Sequence, residues 1–595
     1  MLNGLEKQYF DEMGGEFDAR LKRNTITTRT SKSDGRELTV SNPLAILEAK
    51  FSYKVLDRLY FPSFVAIERA VDGEKKYVLY EIVGVSPTHY QLSGIDSSMP
   101  TLLRKEYLDT IKESWGKSQE TWIDLAAIPT NYLATIDGAD IQFIRAPFAP
   151  LPGAQAWLLS KPAVEKFLCV AGGDRIGMMQ GFDLPFTIDM DNLIRYHSGF
   201  FGFTGTGKSN LTSALLRVAL TRDPTLTVVV IDIAGEYSVN LLDLLSSDSR
   251  VITSEIFDKE QEFITSQAIP ESLEEVLGRS AVERSLAEVW ARGVERLSLQ
   301  EGGGIDLGWI QQLLENTVDS AKAGGTAAKI ALSRLTVEFY EKAGHRQTTK
   351  LTDLDEKSRK NLAAMLTDLT QKVHEKSGLK SEIDLILEML ESGDFGSSFA
   401  PKLSPEKLAE QLAKGQAPRL NILYLPEPVD ARTAAERLIK RLLFLKKKLG
   451  NKQRVLIVLD EAQEYIPDDP SDREHTSKSN KAVEQLLRQG RKYRVHCWMA
   501  TQRVARLNVN ALQQLHSYFV STLPRMYDRM VIADAFALPY EVLERSADLG
   551  TGEWLFVSFK AAKQRNVPVF LKTENNEALV ARGVRHGSQP DSLVS

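Results

Sequence analysis

Cysteine is nearly missing from this chain: Cys169 and Cys497 are the only two in 595 residues. Two thiols cannot staple a chain of this length, and nothing in their spacing suggests a metal knuckle. Long apolar runs are also missing. No stretch approaches the roughly 18 to 20 apolar residues that cross a bilayer, so no membrane anchor is expected. Met1 to Phe17 is mixed and charged without an apolar centre, which excludes the pattern of a secretory leader. A cytoplasmic protein with reduced thiols is the simplest expectation. Eight histidines form no recognisable metal motif. A surplus of positive charge is lacking too, because the net charge is −5. A surface given over wholly to nucleic acid declares itself with excess Lys and Arg. If this protein handles DNA, its basic groups must be concentrated, for instance inside a channel. There is no internal repeat and no low-complexity tract.

What is present is an ordinary globular composition, 43% apolar and 26% charged, in a chain long enough for three or four structural units. The first third reads mostly as strand. Ser63 to Val71 and Lys76 to Val85 flank Asp72-Gly73, a tight-hairpin signal. Thr121 to Ile128 and Asp140 to Ala146 add further short strands between turns, a pattern that suggests a small β-barrel or sandwich over 39–170. Residues 1–38 are polar and read as an N-terminal arm.

From His197 the pattern changes. Ser198 to Phe203 is a short apolar strand, followed by a Gly-rich turn and a segment, Lys208 to Leu220, with Leu211, Leu215, Val218 and Ala219 on one helical face. Leu226 to Ile231 is a buried strand ending at Asp232. Strand, helix, strand is a βαβ unit and implies a parallel sheet. The sheet signals stop between about 238 and 418, where Glu271 to Leu297, Gly308 to Ala323, Ala327 to Lys342 and Ser381 to Leu390 read as helices, punctuated by Gly302-Gly303-Gly304 and Gly324-Gly325. They resume at Leu420 to Tyr424, Val455 to Leu459 and Val495 to Ala500. The expected architecture is therefore α/β: a parallel-sheet core from 171–240 and 416–572, a helical insertion at 241–415, an N-terminal β-barrel, and a polar tail at 573–595.

Gly202-Phe203-Thr204-Gly205-Thr206-Gly207-Lys208-Ser209 fits G-x-x-x-x-G-K-[ST] at every fixed position and sits between a strand and a helix, the required context. Glycines let backbone N–H groups curl around phosphate oxygens, and the helix N-terminus adds its dipole. Gly202, Thr204, Gly205, Thr206, Gly207, Lys208, Ser209 and Asn210 are thus candidates for ATP binding. Lys208 would reach the β- and γ-phosphates, and Ser209 would ligate Mg²⁺. Val455 to Glu461 is an apolar strand ending in two acids. Asp460 would hold Mg²⁺ and Glu461 would polarise the attacking water. Taken alone, a strand that simply exits into a charged loop explains these acids equally well; the P-loop in the same chain tips the balance. Parallel neighbouring strands would bring them beside the P-loop. Asp232 closes the strand after the P-loop helix, and Gln502 closes Val495 to Ala500, where it could sense a γ-phosphate. Acids and amides often end strands for structural reasons alone. Arg488 and Arg491-Lys492 follow a helix with Val483, Leu486 and Leu487 on its apolar face. Basic residues there are ordinary dipole partners, or an arginine finger reaching a neighbouring subunit.

Taken as a set, GFTGTGKSN, DIAGEY, VLIVLDEAQEYIP and RQGRKYRVHCWMATQR resemble the HerA branch of the HerA/FtsK superfamily. Gly181 to Pro185 resembles the family's entry segment, and a β-rich N-terminal domain matches its small barrel. The resemblance covers roughly 170–238 and 419–570. It implies that Lys208 and Ser209 bind nucleotide and Mg²⁺, that Asp232 supports the metal site, that Asp460 and Glu461 serve metal binding and catalysis, that Gln502 is a sensor, and that Arg491, or Arg488, acts in trans. It further implies a homo-hexameric ring moving double-stranded DNA through a pore, working with a nuclease or another effector. A ring-shaped ATPase scaffold that regulates an effector in an anti-phage defence complex is the alternative, and a DNA- or protein-pumping motor of a conjugation machine is a third. Lys357, Arg359 and Lys360 are basic within the insertion, which a solvated helix face explains equally well. No compact carboxylate or His/Asp arrangement suggests a nuclease in the chain itself.

Overall fold

The computed structural model describes residues 4–586 apart from 34–35, 72, 96–98, 118, 138–139, 258, 300–305, 320–324, 348, 373–379, 381–382, 385, 388–389, 391–402, 451–452 and 470–475. Gly302-Gly303-Gly304, Asp72, Gly324 and much of Ser381 to Leu390 therefore lie outside the described residues. The chain divides into two compact units: residues 1–252, 257–294 and 409–595, and residues 253–256 with 295–408.

In the first unit, helix α1 (Gly4–Phe10) is followed by β1 (Ala19–Ser33), β2 (Arg36–Lys50), β3 (Ser63–Val71), β4 (Glu74–His89), β5 (Thr121–Asp137), β6 (Asp140–Arg145) and β7 (Gln155–Leu158). Their pairings run β1-β2-β5-β4-β3-β7 and return from β7 to β1, so six antiparallel strands close into a ring with β6 appended to β5. Alternate residues turn inward, among them Leu21, Leu47, Val65, Val78, Ile123 and Leu125, all essentially buried. The described residues of 1–38 are not a separate arm. β1 is half of a long hairpin with β2, and Tyr9 and Phe10 of α1 are buried at 2% and 1% exposure. The segment reads as polar because the outer end of that hairpin, from about Asn24 to Lys32, shows no buried residue; only Ala19 and Leu21 carry the strand's inward signal.

The rest of the unit is built on a mixed sheet. In chain order it contributes β8 (Asp174–Met179), β9 (Leu184–Ile188), β10 (Ser198–Phe201), helix α2 (Lys208–Arg222), β11 (Thr227–Asp232), β12 (Ser249–Thr253), β13 (Leu420–Tyr424), helix α3 (Pro428–Leu449), β14 (Val455–Leu459), helix α4 (Thr476–Gln489), β15 (Val495–Thr501), β16 (Ser517–Val520), β17 (Glu553–Ser558), β18 (Val569–Lys572) and helix α5 (Asn576–His586). The strands lie in the order β12-β13-β11-β14-β15-β10-β16-β17-β18-β8-β9. From β13 to β16 every pairing is parallel; from β16 to β9 every pairing is antiparallel. The central parallel strands are largely apolar because they are covered on both faces: Val228 to Ile231 and Val455 to Leu459 are all at 0% exposure.

Two further expectations change. The stretch after 238 is not helical throughout, since β12 extends the sheet, and residues 257–294 remain with the first unit. There Phe263, Leu273, Val282 and Leu286 join the large core. The C-terminal segment is not a loose tail up to residue 586. It forms α5, with Val580 and Ala581 buried and Asn576 wholly enclosed.

The second unit has a core of its own, with Leu307, Ile310, Leu314, Leu335, Phe339, Leu362 and Leu366 packed from the helices Leu307–Asp319, Gly325–Arg334, Leu335–Lys342 and Glu356–Thr370. Lys360 pairs with Glu356 at 2.8 Å and Arg359 donates to the Thr352 carbonyl at 2.7 Å, both on one solvent-facing turn.

Candidate nucleotide site

The Gly-rich turn leaves β10 at Phe201 and enters α2 at Lys208. Gly205 and Gly207 take φ of +82° and +92°, backbone that a side chain resists, and a Cβ on Gly202 would lie 2.6 Å from the Thr206 hydroxyl. Thr206 donates to the Phe203 carbonyl at 2.8 Å, and Lys208 Nζ reaches the same carbonyl at 3.4 Å. The lysine is 9% exposed and so held within the loop. A Gly-rich loop around an enclosed ammonium at a helix N-terminus is the arrangement of an anion cradle. Asn210 behaves differently from its neighbours. Its amide donates to Asn575 at 2.8 Å and accepts from the Asn576 backbone N–H at 2.9 Å, so the side chain is committed to the start of α5.

The strand carrying the acids does not neighbour the P-loop strand. β15 lies between β10 and β14, and the register sets Phe201 beside Thr501 and Leu459 beside Met499. The residue that ends β15 therefore stands between loop and acids, and this is Gln502. Its amide oxygen accepts from the Thr204 hydroxyl, and its amide nitrogen donates to Glu461 at 2.6 Å. The other Glu461 oxygen accepts from Gln463 at 2.7 Å, and Gln463 in turn accepts from Thr501 at 2.5 Å. Glu461 sits at φ +47°, a conformation uncommon for a residue with a side chain and concentrated at functional sites. Thr204, Gln502, Glu461 and Gln463 thus form one relay from the loop to the second acid.

Asp232 and Asp460 end adjacent strands, tied by the Asp460 N–H donating to the Ile231 carbonyl at 3.2 Å. Asp232 is completely buried, and its two oxygens accept from Gly235 at 2.8 Å and Tyr237 at 2.9 Å, which folds the Asp-Ile-Ala-Gly-Glu-Tyr turn. Burial pushes its carboxyl up to about 6 despite those two bonds. Asp460, 3% exposed, is also held well above its ordinary value, by burial and then by the charges of Asp232, Glu236 and Glu461, with Lys208 opposing them. Four carboxylates therefore act together beside one lysine. That surplus of negative charge at an anion cradle fits a divalent cation accompanying a phosphate ligand.

Sequence reasoning passed over two residues. Glu236 accepts from the Ser209 hydroxyl, and Gln463 is the second donor to Glu461. Both lie within quoted motifs, but only the folded turn shows that they face the site.

Arg491 is elsewhere. Its guanidinium stacks over Tyr196 at 5.2 Å, where Arg195 and Lys560 also lie 5.7 and 5.6 Å from the ring centre. Tyr196 precedes β10 and Arg491 precedes β15, so this cationic cluster occupies the edge of the parallel strands opposite the P-loop. Arg488 is exposed near the end of α4.

A phosphate cradle at a strand–helix junction, with acids and an amide at the carboxyl edge of a parallel sheet, defines a P-loop NTPase. Residues 174–397 match the family model described as the central domain of helicase HerA. The chain is 21% identical to the DNA double-strand break repair helicase HerA of Pyrococcus furiosus over 543 residues, covering 85% of this chain and 87% of that protein. Among solved structures it is similar to VirB4 of Thermoanaerobacter pseudethanolicus, at 14% identity with 68% of this chain and 97% of that chain covered and a TM-score of 0.34. It is also similar to the bacterial conjugative coupling protein TrwB lacking its N-terminal segment, at 12% identity with 70% and 92% covered and a TM-score of 0.35. Over residues 174–397 the chain is similar to the HerA type of P-loop ATPase, and it is an ATPase.

Proposed function

We propose that this protein is an ATP-driven ring motor that moves along double-stranded DNA, with a RecA-like core, a barrel formed by the closed strand ring, and the second unit as its helical insertion. In this reading the loop 202–209 holds ATP, and Lys208 neutralises the β- and γ-phosphates. Ser209 and Asp460 hold Mg²⁺, with Asp232 shaping the turn beside them. Bound Mg²⁺ neutralises phosphate charge and aligns the phosphates for in-line attack. Glu461 orients the attacking water and accepts its proton. Gln502, touching both Thr204 and Glu461, connects the loop's contact with the γ-phosphate to the base.

The observation that carries the ring is the separation of Arg491 from its own P-loop. A guanidinium at the opposite edge of the sheet can act on a γ-phosphate only if that phosphate belongs to another subunit. Arg195 and Lys560 beside it would strengthen that cationic edge. The DNA role is supported by the match to HerA, whose Pyrococcus relative is named as a DNA repair helicase; a hexamer, an effector partner and a cytoplasmic location complete the proposal. Among the described residues no helix is long and apolar enough to cross a membrane.

The test is steady-state ATP hydrolysis with and without duplex DNA, together with subunit mixing. Lys208→Ala and Arg491→Ala chains should each be inactive alone. Mixed, they should recover activity, because some junctions pair an intact P-loop with an intact arginine. Failure of the mixture to recover, with mixed assembly verified, would remove the trans role. Hydrolysis indifferent to DNA would favour the effector-regulating scaffold.

A further inference from the structure

Asp232 is the acid that follows the P-loop helix in sequence, yet it is poorly placed to meet an ion directly. It has no exposed surface, and both its oxygens are engaged by the backbone of its own turn. Glu236, four residues later, is placed by that turn. Gly235 supplies φ +76° where a Cβ would meet Tyr424 Cε2 at 3.0 Å and the Ser266 carbonyl at 3.1 Å, and the Gly235 carbonyl accepts from Ala268 at 3.0 Å. The turn is thus clamped on both sides, and the Glu236 carboxylate meets the Ser209 hydroxyl. Unlike Asp232, Glu236 is only half-buried. Asp460 supplies the independent sign that something positive belongs here. The residue is 3% exposed and stands at the end of the strand beside Asp232, its N–H donating to the Ile231 carbonyl at 3.2 Å. A carboxylate enclosed in this way calls for a cation.

We infer that Glu236 is the second acidic contributor to the divalent-cation site, alongside Ser209 and Asp460, and that Asp232 serves only to position it. The inference rests on the nucleotide-site reading above. Glu236 holds the Ser209 hydroxyl in place and puts a carboxylate beside it, so that an arriving hydrated Mg²⁺ meets both groups, directly or through one of its waters. Mg²⁺ keeps much of its water shell and takes few protein carboxylates, which suits one half-exposed acid better than a wholly enclosed one.

The test compares binding of a fluorescent ADP to the full chain in EDTA and in Mg²⁺, so the readout is the affinity gained from the metal rather than turnover. Removing a group that orients metal ligands costs metal affinity on the order of tenfold to a hundredfold. In Glu236→Gln the gain from Mg²⁺ should fall by about tenfold, and bound Mn²⁺ should show a matching loss of affinity by electron paramagnetic resonance. Glu236→Asp, which keeps the charge on a shorter arm, should fall between, and it carries the test if the Gln variant does not fold. Asp232→Asn should give the same defect only if the turn itself is lost. A full Mg²⁺ gain in a folded Glu236→Gln or Glu236→Asp chain overturns the assignment alone. Nucleotide binding that ignores Lys208→Ala overturns the nucleotide-site reading with it.

Discussion

The two edges of the parallel sheet are electrostatic opposites. At the carboxyl ends of the strands Asp232, Glu236, Asp460 and Glu461 interact near Lys208, and burial above all raises Asp232 to about 6 and Asp460 well above its ordinary value. At the amino ends Arg195, Arg491 and Lys560 gather around Tyr196, and imidazoles are suppressed instead. His197 is lowered to about 3 by burial, by His496 and His516 and by Arg491, and His496 to about 4 by burial and then Arg454. One edge is short of positive charge, and the other has it to spare. The proposed ring, stacking one edge against the next subunit's opposite edge, satisfies both. In that proposal a chain with a net charge of −5 engages phosphates through charges gathered at these edges.

The sharpest way to break the comparison is to remove charge from the cationic edge. Arg491→Ala should lower kcat by roughly 10³-fold, the scale of an arginine finger, while nucleotide affinity changes little; equal loss of binding and turnover would place the residue in the subunit's own site. At the acidic edge, Glu461→Gln should cost on the order of 10² to 10⁴ in kcat, the range for a positioned general base, with nucleotide binding retained. A smaller loss is expected from Gln502→Ala, about tenfold or more, as for a group that orients a reacting residue. If Gln463→Ala matches it, the relay acts as a unit; if only one matters, the two amides act separately.

Two milder effects concern stability. Asn576 accepts from Arg217 at 2.6 Å and donates to the Asn240 carbonyl at 2.8 Å, while Arg217 also pairs with Asp243 at 2.6 Å. Asn576→Ala should therefore cost about 1–3 kcal/mol through buried groups left unpaired, visible as a lower melting temperature. The histidines predict a pH slope. Their folded values lie below the ordinary imidazole value, so the unfolded chain takes up protons first, and stability is lost as pH falls from about 6.5 toward 4. His197→Asn, whose side-chain oxygen can accept the Cys497 N–H in place of Nδ1, should flatten that slope in melting curves taken across the window.

Much of the carboxyl edge was legible in the chain. The P-loop spacing and the apolar runs ending in Asp232, Asp460-Glu461 and Thr501-Gln502 are local patterns, and a parallel sheet brings all such strand ends to one edge. Local pattern fails where partners are distant. β1 alternates weakly because its outer half faces water, so only pairing with β2 and β7 reveals it as part of a closed ring. α5 looks like a polar tail because its first residues are spent on Asn210, Arg217 and Asn240, more than 300 positions away.

By itself, then, the sequence determined the cradle, the acids and the parallel sheet, because glycine conformations, strand hydrophobicity and strand-end chemistry are set by neighbouring residues. Tertiary structure alone decided that Gln502 stands between the loop and Glu461, that Glu236 and not Asp232 faces Ser209, and that Arg491 lies on the far edge. Those facts depend on strand order and on the path of one turn, and both are settled by packing across the chain rather than along it.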